Sequence, residues 1–86
     1  MDPSMDRDEL IKVIQEVAFR ILAIEPAEVR EETNFRDNLA VDSLEFMDFM
    51  ASLEKRLKIS LGEQDFDDVQ TVGEVVDLLT GTAKGG

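Results

Sequence analysis

The stretch from Asn38 to Met47 constrains this chain more than any other, because an irregular segment meets a helix start there at a defined point. Asp42 and Glu45 stand three residues apart, immediately ahead of an apolar run, in the form of a capping box. In such a box the first side chain accepts a hydrogen bond from the amide of the second residue, and the glutamate reaches back to the amide of the cap. A helix is therefore predicted to open after Asp42, with the preceding chain arriving in a non-helical conformation. Ser43 falls at the first helical position, where its hydroxyl points outward near the positive end of the helix dipole and a phosphate is well tolerated. Capping alone accounts for Asp42, Ser43 and Glu45, so the box assigns no function by itself. It does make Ser43 the candidate for the working atom.

The rest of the chain falls into helical periods around this junction. From about Asp6 to Ala23, apolar residues recur at Leu10, Ile14, Val17 and Ile21, and again at Ile11, Ala18 and Leu22, with Lys12, Gln15, Glu16 and Arg20 elsewhere. That is the stripe of an amphipathic helix. Pro26 pushes Glu25 to extended conformations, so this helix is expected to finish near Ile24. The span from Pro26 to Val41 has no sustained period and is long for a connection in so short a chain. Val29, Phe35 and Leu39 argue that it is pinned to the core, and Thr33 and Asn34 that local side-chain bonds shape it. A second helix is predicted over Ser43 to Lys58, with Phe46, Phe49, Met50, Leu53 and Leu57 inward. Leu44 and Met47 are left partly exposed among Glu45 and Asp48, which reads as a docking surface. A short helix is expected within Glu63 to Val69, with Phe66 and Val69 inward. Thr71 to Glu74 repeats the capping-box form and opens a last helix through Leu79, for which Gly81 supplies the stop. No strand survives the periodicity test. The expected fold is all-α: a small bundle of three main helices and one short helix, with a long first loop. Residues 1–5 are expected to be an unstructured expression remnant, residues 6–80 the single domain, and residues 81–86 a disordered tail.

Composition removes several function classes. With 86 residues the chain has material for one modest core. A formal charge of −11, from 20 acidic and 9 basic residues, disfavours nucleic acid as a partner and points to partners with positive patches. The same charge makes a monomer the default. There is no cysteine and no histidine, so the usual thiol nucleophile, neutral-pH base and commonest metal ligands are all missing. An independent enzyme is not expected, nor is a resident metal. No apolar run approaches the length of a membrane span and no signal-peptide pattern is present, so a cytoplasmic location is expected.

On these residues the span from about Asp8 to Thr80 resembles an acyl carrier protein. The resemblance rests on the Asp42, Ser43, Leu44 signature after a long loop, with Phe35 and Leu39 before it, Glu45 after it, Leu53 and Leu57 along an acidic helix, and Thr71 and Val72 opening the last one. It implies that Ser43 receives a 4'-phosphopantetheine group from coenzyme A through a separate phosphopantetheinyl transferase. The arm's thiol would then carry acyl groups as thioesters to acyl-transferring or ketosynthase-type enzymes that present basic docking patches. It further implies that Asp42 helps position Ser43 and a magnesium in the transferase complex, and that Leu44, Glu45, Met47 and Asp48 meet partner enzymes. In the family the core also parts to shelter an acyl chain, which Met50 and the phenylalanines would line here.

Two departures bear on the kind of carrier. Fatty-acid members usually show an acid, Leu and Gly ahead of the signature, where this chain has Asn38, Leu39 and Ala40; the alanine argues against a left-handed backbone at that position. Lys55, Arg56 and Lys58 interrupt the acidic face at the end of the second helix, although cations there also favour the helix dipole. They lean the reading towards a polyketide, modified-lipid or other dedicated pathway. Alternatives are a peptidyl or D-alanyl carrier, or a carrier-like interaction domain that is never modified. A calcium loop over Asn34 to Glu45 fails, because Arg36 falls at a ligand position and Leu39 where the sharp turn requires Gly.

Overall fold

The computed structural model describes the backbone of residues 6–62 and 69–85. Three α-helices, α1 (Arg7–Leu22), α2 (Ser43–Leu57) and α3 (Val72–Gly85), enclose one core, and a 3-10 turn, Pro26–Glu28, lies in the long first loop. Among the described residues there is no strand; the nearest approach is an isolated bridge between Asn34 and Thr71. The expected short helix after Gly62 lies outside the described residues, as does the leader before Asp6.

Each helix begins where its side chains can satisfy the first amides. Asp6 caps α1 in a full capping box with Glu9, with bonds of 2.9 and 3.2 Å. The helix ends at a left-handed Ala23, two residues before the restricted Glu25. Leu10, Val13, Ile14, Val17 and Ala18 form its buried stripe. Ile21, expected inward, is 44% exposed: it borders a shallow surface groove with Ser52, Lys55 and Arg56 rather than being covered. In α2, Phe49, Met50 and Leu53 are fully buried, while Phe46 and Leu57 pack against the core from its edge. Lys58 takes a left-handed conformation and closes this helix one residue earlier than the pattern predicts.

The long loop is ordered by the devices its sequence announces. Val29, Phe35 and Val41 are buried and Leu39 is half-buried. The Thr33 hydroxyl accepts from the Arg30 amide at 3.0 Å and donates to the Glu28 carbonyl at 2.9 Å. Asn34 Oδ1 accepts from the amides of Arg36 and Asp37, each at 2.9 Å. The rings of Phe35, Phe46 and Phe49 gather with centroids 5.1 to 6.1 Å apart, joining the loop to α2. Arg7 bridges loop and α3 by pairing with Glu31 and, at 2.6 Å, with Asp77, and Arg56 of α2 pairs with Glu16 of α1. These pairs are substantially exposed, so solvent screening leaves each with little effect on stability.

Two further expectations are corrected. Ala40 is left-handed, with φ 55°, although its replacement of glycine argued otherwise. The chain must turn back from the Asn34 to Leu39 turns into α2; with Ala40 left-handed, the Val41 amide reaches the Phe35 carbonyl at 2.9 Å and the Val41 side chain enters the core. The backbone penalty, roughly 1 to 2 kcal/mol, is offset by that burial. The second correction concerns Gly81, which does not stop α3: the helix continues to Gly85, so residues 81–85 are helical rather than a disordered tail. Once Val72, Val75, Val76 and Leu79 have anchored one face, each added residue gains a helical bond, and a single glycine costs only about 1 kcal/mol.

Candidate functional site

The start of α2 is built from both sides. Asp42 is extended (φ −85°, ψ 178°), its carboxylate accepts from the Glu45 amide at 2.8 Å, and Glu45 Oε1 accepts from the Asp42 amide at 3.0 Å. Asp42 is therefore the N-cap, and Ser43 is the first helical residue, exposed and free of any capping duty. From the loop, Arg36 Nη2 donates to Ser43 Oγ at 3.2 Å. Arg36, Ala40, Val41, Asp42 and Ser43 line a shallow open depression at this junction. The left-handed Ala40 thus has a consequence for the site: it turns the chain so that loop and helix start share one rim.

All the residues that the sequence singled out are on this end of α2. Asp42, Glu45 and Asp48 are exposed, Leu44 is 77% exposed and Met47 40% exposed. Leu44, Met47 and Asp48 follow the three- and four-residue spacing that places them on one helix face. Arg36 was missed as a site residue. It lies seven positions ahead of Ser43 in a segment without periodicity, so no spacing rule relates the two.

Chemically, the hydroxyl accepts from a guanidinium, and among the described residues no base is hydrogen-bonded to it. Arginine stays protonated and has no acceptor, so it cannot take the serine proton. The site is suited to being esterified by another protein's chemistry rather than to attacking a substrate unaided. An anionic ester would also fit: the first amides of a 15-residue helix and one cation face the position. An exposed serine at a capped helix start, on a small all-α scaffold, is placed for modification by another protein.

Comparison with known proteins gives the group. The family described as "Phosphopantetheine attachment site" matches residues 12–79. The acyl carrier protein of Rubrobacter xylanophilus is 33% identical over 75 residues, covering 87% of this chain and 93% of that protein. That of Wolinella succinogenes is 35% identical over 66 residues, covering 77% of this chain and 87% of its own length. Among solved structures, the acyl carrier protein of Thermotoga maritima superposes with a TM-score of 0.84 at 21% identity, covering 94% of each chain. That of Enterococcus faecalis gives 0.67 at 31% identity, covering 91% of this chain and 99% of that one. The chain belongs to the phosphopantetheine attachment family and, within it, to the acyl carrier proteins. Its prosthetic group is accordingly a covalently attached 4'-phosphopantetheine.

Proposed function

We propose that Ser43 is the attachment point and that the loaded chain delivers acyl thioesters to partner enzymes of a fatty-acid, polyketide or specialised lipid pathway. The observation behind this reading is the exposed Ser43 hydroxyl at the first position of α2, beside Arg36 and relieved of capping by Asp42. In the reaction the Ser43 hydroxyl loses its proton to a base of the phosphopantetheinyl transferase and Oγ bonds to the pantetheine-side phosphorus of the coenzyme A pyrophosphate. The pyrophosphate bond breaks and adenosine 3',5'-bisphosphate leaves. The thiol that the chain lacks in its own sequence arrives with the arm. Asp42 fixes the direction of Ser43 and is placed to help hold a magnesium in the transferase complex. Leu44 and Met47 supply apolar contact, and Glu45 and Asp48 meet the Arg and Lys of partner enzymes. The protein works as a cytoplasmic monomer.

Of the basic residues that lean the reading towards a dedicated pathway, Arg56 is engaged with Glu16 and Lys58 forms the left-handed end of α2. Lys55 is an exposed cation on the groove that Ile21 and Ser52 border. Intact mass before and after incubation with coenzyme A, magnesium and a broad-specificity transferase tests the assignment. The wild type gains one phosphopantetheine and Ser43→Ala gains none while keeping its helicity, because the cap is Asp42. No gain with several transferases would return the chain to an unmodified interaction domain.

A further inference from the structure

Among the described residues, the Arg36 side chain has no contact within the fold, other than Ser43, that explains its position. Among the described residues its guanidinium makes no ion pair, although acidic residues surround it in the sequence and Arg7 and Arg56 both find carboxylates. Its side chain turns instead to a neutral hydroxyl, Ser43 Oγ, at 3.2 Å. A hydroxyl oxygen is a modest acceptor for a planar cation built to hold two oxygens of one anion. The carboxylates nearest in sequence to Ser43 are committed elsewhere, since Asp42 and Glu45 accept from each other's amides. Both carboxylates nevertheless flank any anion placed on Ser43, in a chain of net charge −11. A phosphodiester at that hydroxyl therefore enters a repulsive field with one cation already aimed at its root.

We infer that Arg36 is a positioning residue for the loaded arm: once Ser43 is esterified, the guanidinium shifts from Oγ to the non-bridging oxygens of the phosphodiester and holds the root of the arm over the depression lined by Ala40 and Val41. Esterification makes Oγ a poor acceptor and places two non-bridging oxygens, which share one negative charge, two bonds further out, within the swing of the same side chain. The contact becomes charge-assisted as the arm is added. Arg36 thus orients the first bonds of the arm relative to the exposed Leu44 and Met47 face and offsets the repulsion from Asp42 and Glu45.

This inference rests on Ser43 as the attachment point, and its test separates the two. Wild type, Arg36→Gln and Arg36→Lys are loaded to completion with phosphopantetheine, confirmed by intact mass, and the 31P resonance of each is followed from about 10 mM to about 1 M salt, a range over which exposed pairs become screened. The wild-type resonance is expected to move with salt towards that of Arg36→Gln, whose own position stays nearly constant. Arg36→Lys, a point charge without the planar fork, lies between them and supplies the comparison if Arg36→Gln loads incompletely. The change in melting temperature on loading is expected to be more favourable in wild type than in Arg36→Gln by about 1–4 °C, the size of one exposed ion pair in a small domain. Coincident resonances, salt responses and melting shifts in fully loaded wild type and Arg36→Gln would overturn the role of Arg36 while leaving Ser43 in place. Absence of any mass gain in wild type overturns the attachment itself, and this inference with it.

Discussion

The starts of α2 and α3 carry the same local device in opposite surroundings. At α2 the sequence Asp42, Ser43, Leu44, Glu45 closes a capping box; at α3 Thr71, Val72, Gly73, Glu74 does the same, with the Glu74 amide donating to Thr71 Oγ1 at 3.1 Å and the Thr71 amide to Glu74 Oε1 at 3.0 Å. The next amides differ. Those of Val72 and Gly73 donate to the loop carbonyls of Thr33 and Glu31, each at 2.9 Å, and the Val72 side chain is wholly buried. A Cβ on Gly73 would lie 3.1 Å from the Glu31 carbonyl oxygen, so glycine permits the close approach. At α2 the residue after the cap is an exposed serine, the next is a leucine 77% exposed, and the side chain that reaches the turn is a cation. One helix start is sealed by the loop and the other is held open by it. A capping box thus states where a helix begins, and its neighbours decide whether that end is structural or available for chemistry.

The sharpest way to break the comparison is to place the same charge one residue into the sealed start and two residues into the open one. Val72→Asp is expected to lose about 3 kcal/mol or more of stability, because a carboxylate replaces a fully buried methyl pair. Leu44→Asp is expected to stay within about 0.5 kcal/mol of wild type. Urea unfolding of the two variants measures both, and comparable losses would mean that the two starts are not differently covered.

A smaller effect tests what they share. Asp42→Ala and Thr71→Ala each remove an N-cap and are expected to cost about 1 kcal/mol. Only Asp42→Ala should also slow loading by the transferase, read as the rate of intact-mass gain; equal loading rates in the two variants would remove Asp42 from the positioning of Ser43.

The smallest effect is in pH. Glu74 is held below the usual carboxylate range, chiefly by accepting the Gln70 amide at 2.8 Å and also that of Thr71. A depressed folded-state value means stability that is present above the unfolded carboxylate value and lost as pH falls through the lower folded one. The stability difference between wild type and Glu74→Gln is therefore expected to be greatest near pH 7 and to shrink from about pH 4 downward. Because the side chain is exposed, the difference will be modest, and a difference that grows on acidification would contradict the assignment.

Much of this was legible in the residues. Capping boxes at Asp42 and Thr71 placed two helix starts, the stripe from Leu10 to Ala18 placed the first helix, and Val29 and Phe35 correctly announced a pinned loop. Ser43, Leu44 and Met47 were found as exposed candidates because caps and helical spacing are local rules, acting over at most one turn. Ile21 was misread because its row on the helix is correct but what covers that row is not written in the helix. Gly81 was misread because intrinsic propensity stops helices only where tertiary anchoring does not already hold them.

The sequence by itself determined the all-α class, the three helical stripes, the lack of a thiol or imidazole of its own and the place of Ser43 at a helix start. Those features depend on residue identity and on spacings of a few positions, over which backbone geometry is nearly fixed. Only the tertiary structure decided that Ala40 would be left-handed, that Gly73 would meet the Glu31 carbonyl, and that Arg36 would reach back across the turn to Ser43. Each of these depends on how the long loop closes on the core. Burying Phe35 and Val41 outweighs a local backbone preference of roughly 1 to 2 kcal/mol, and no short-range pattern records that balance.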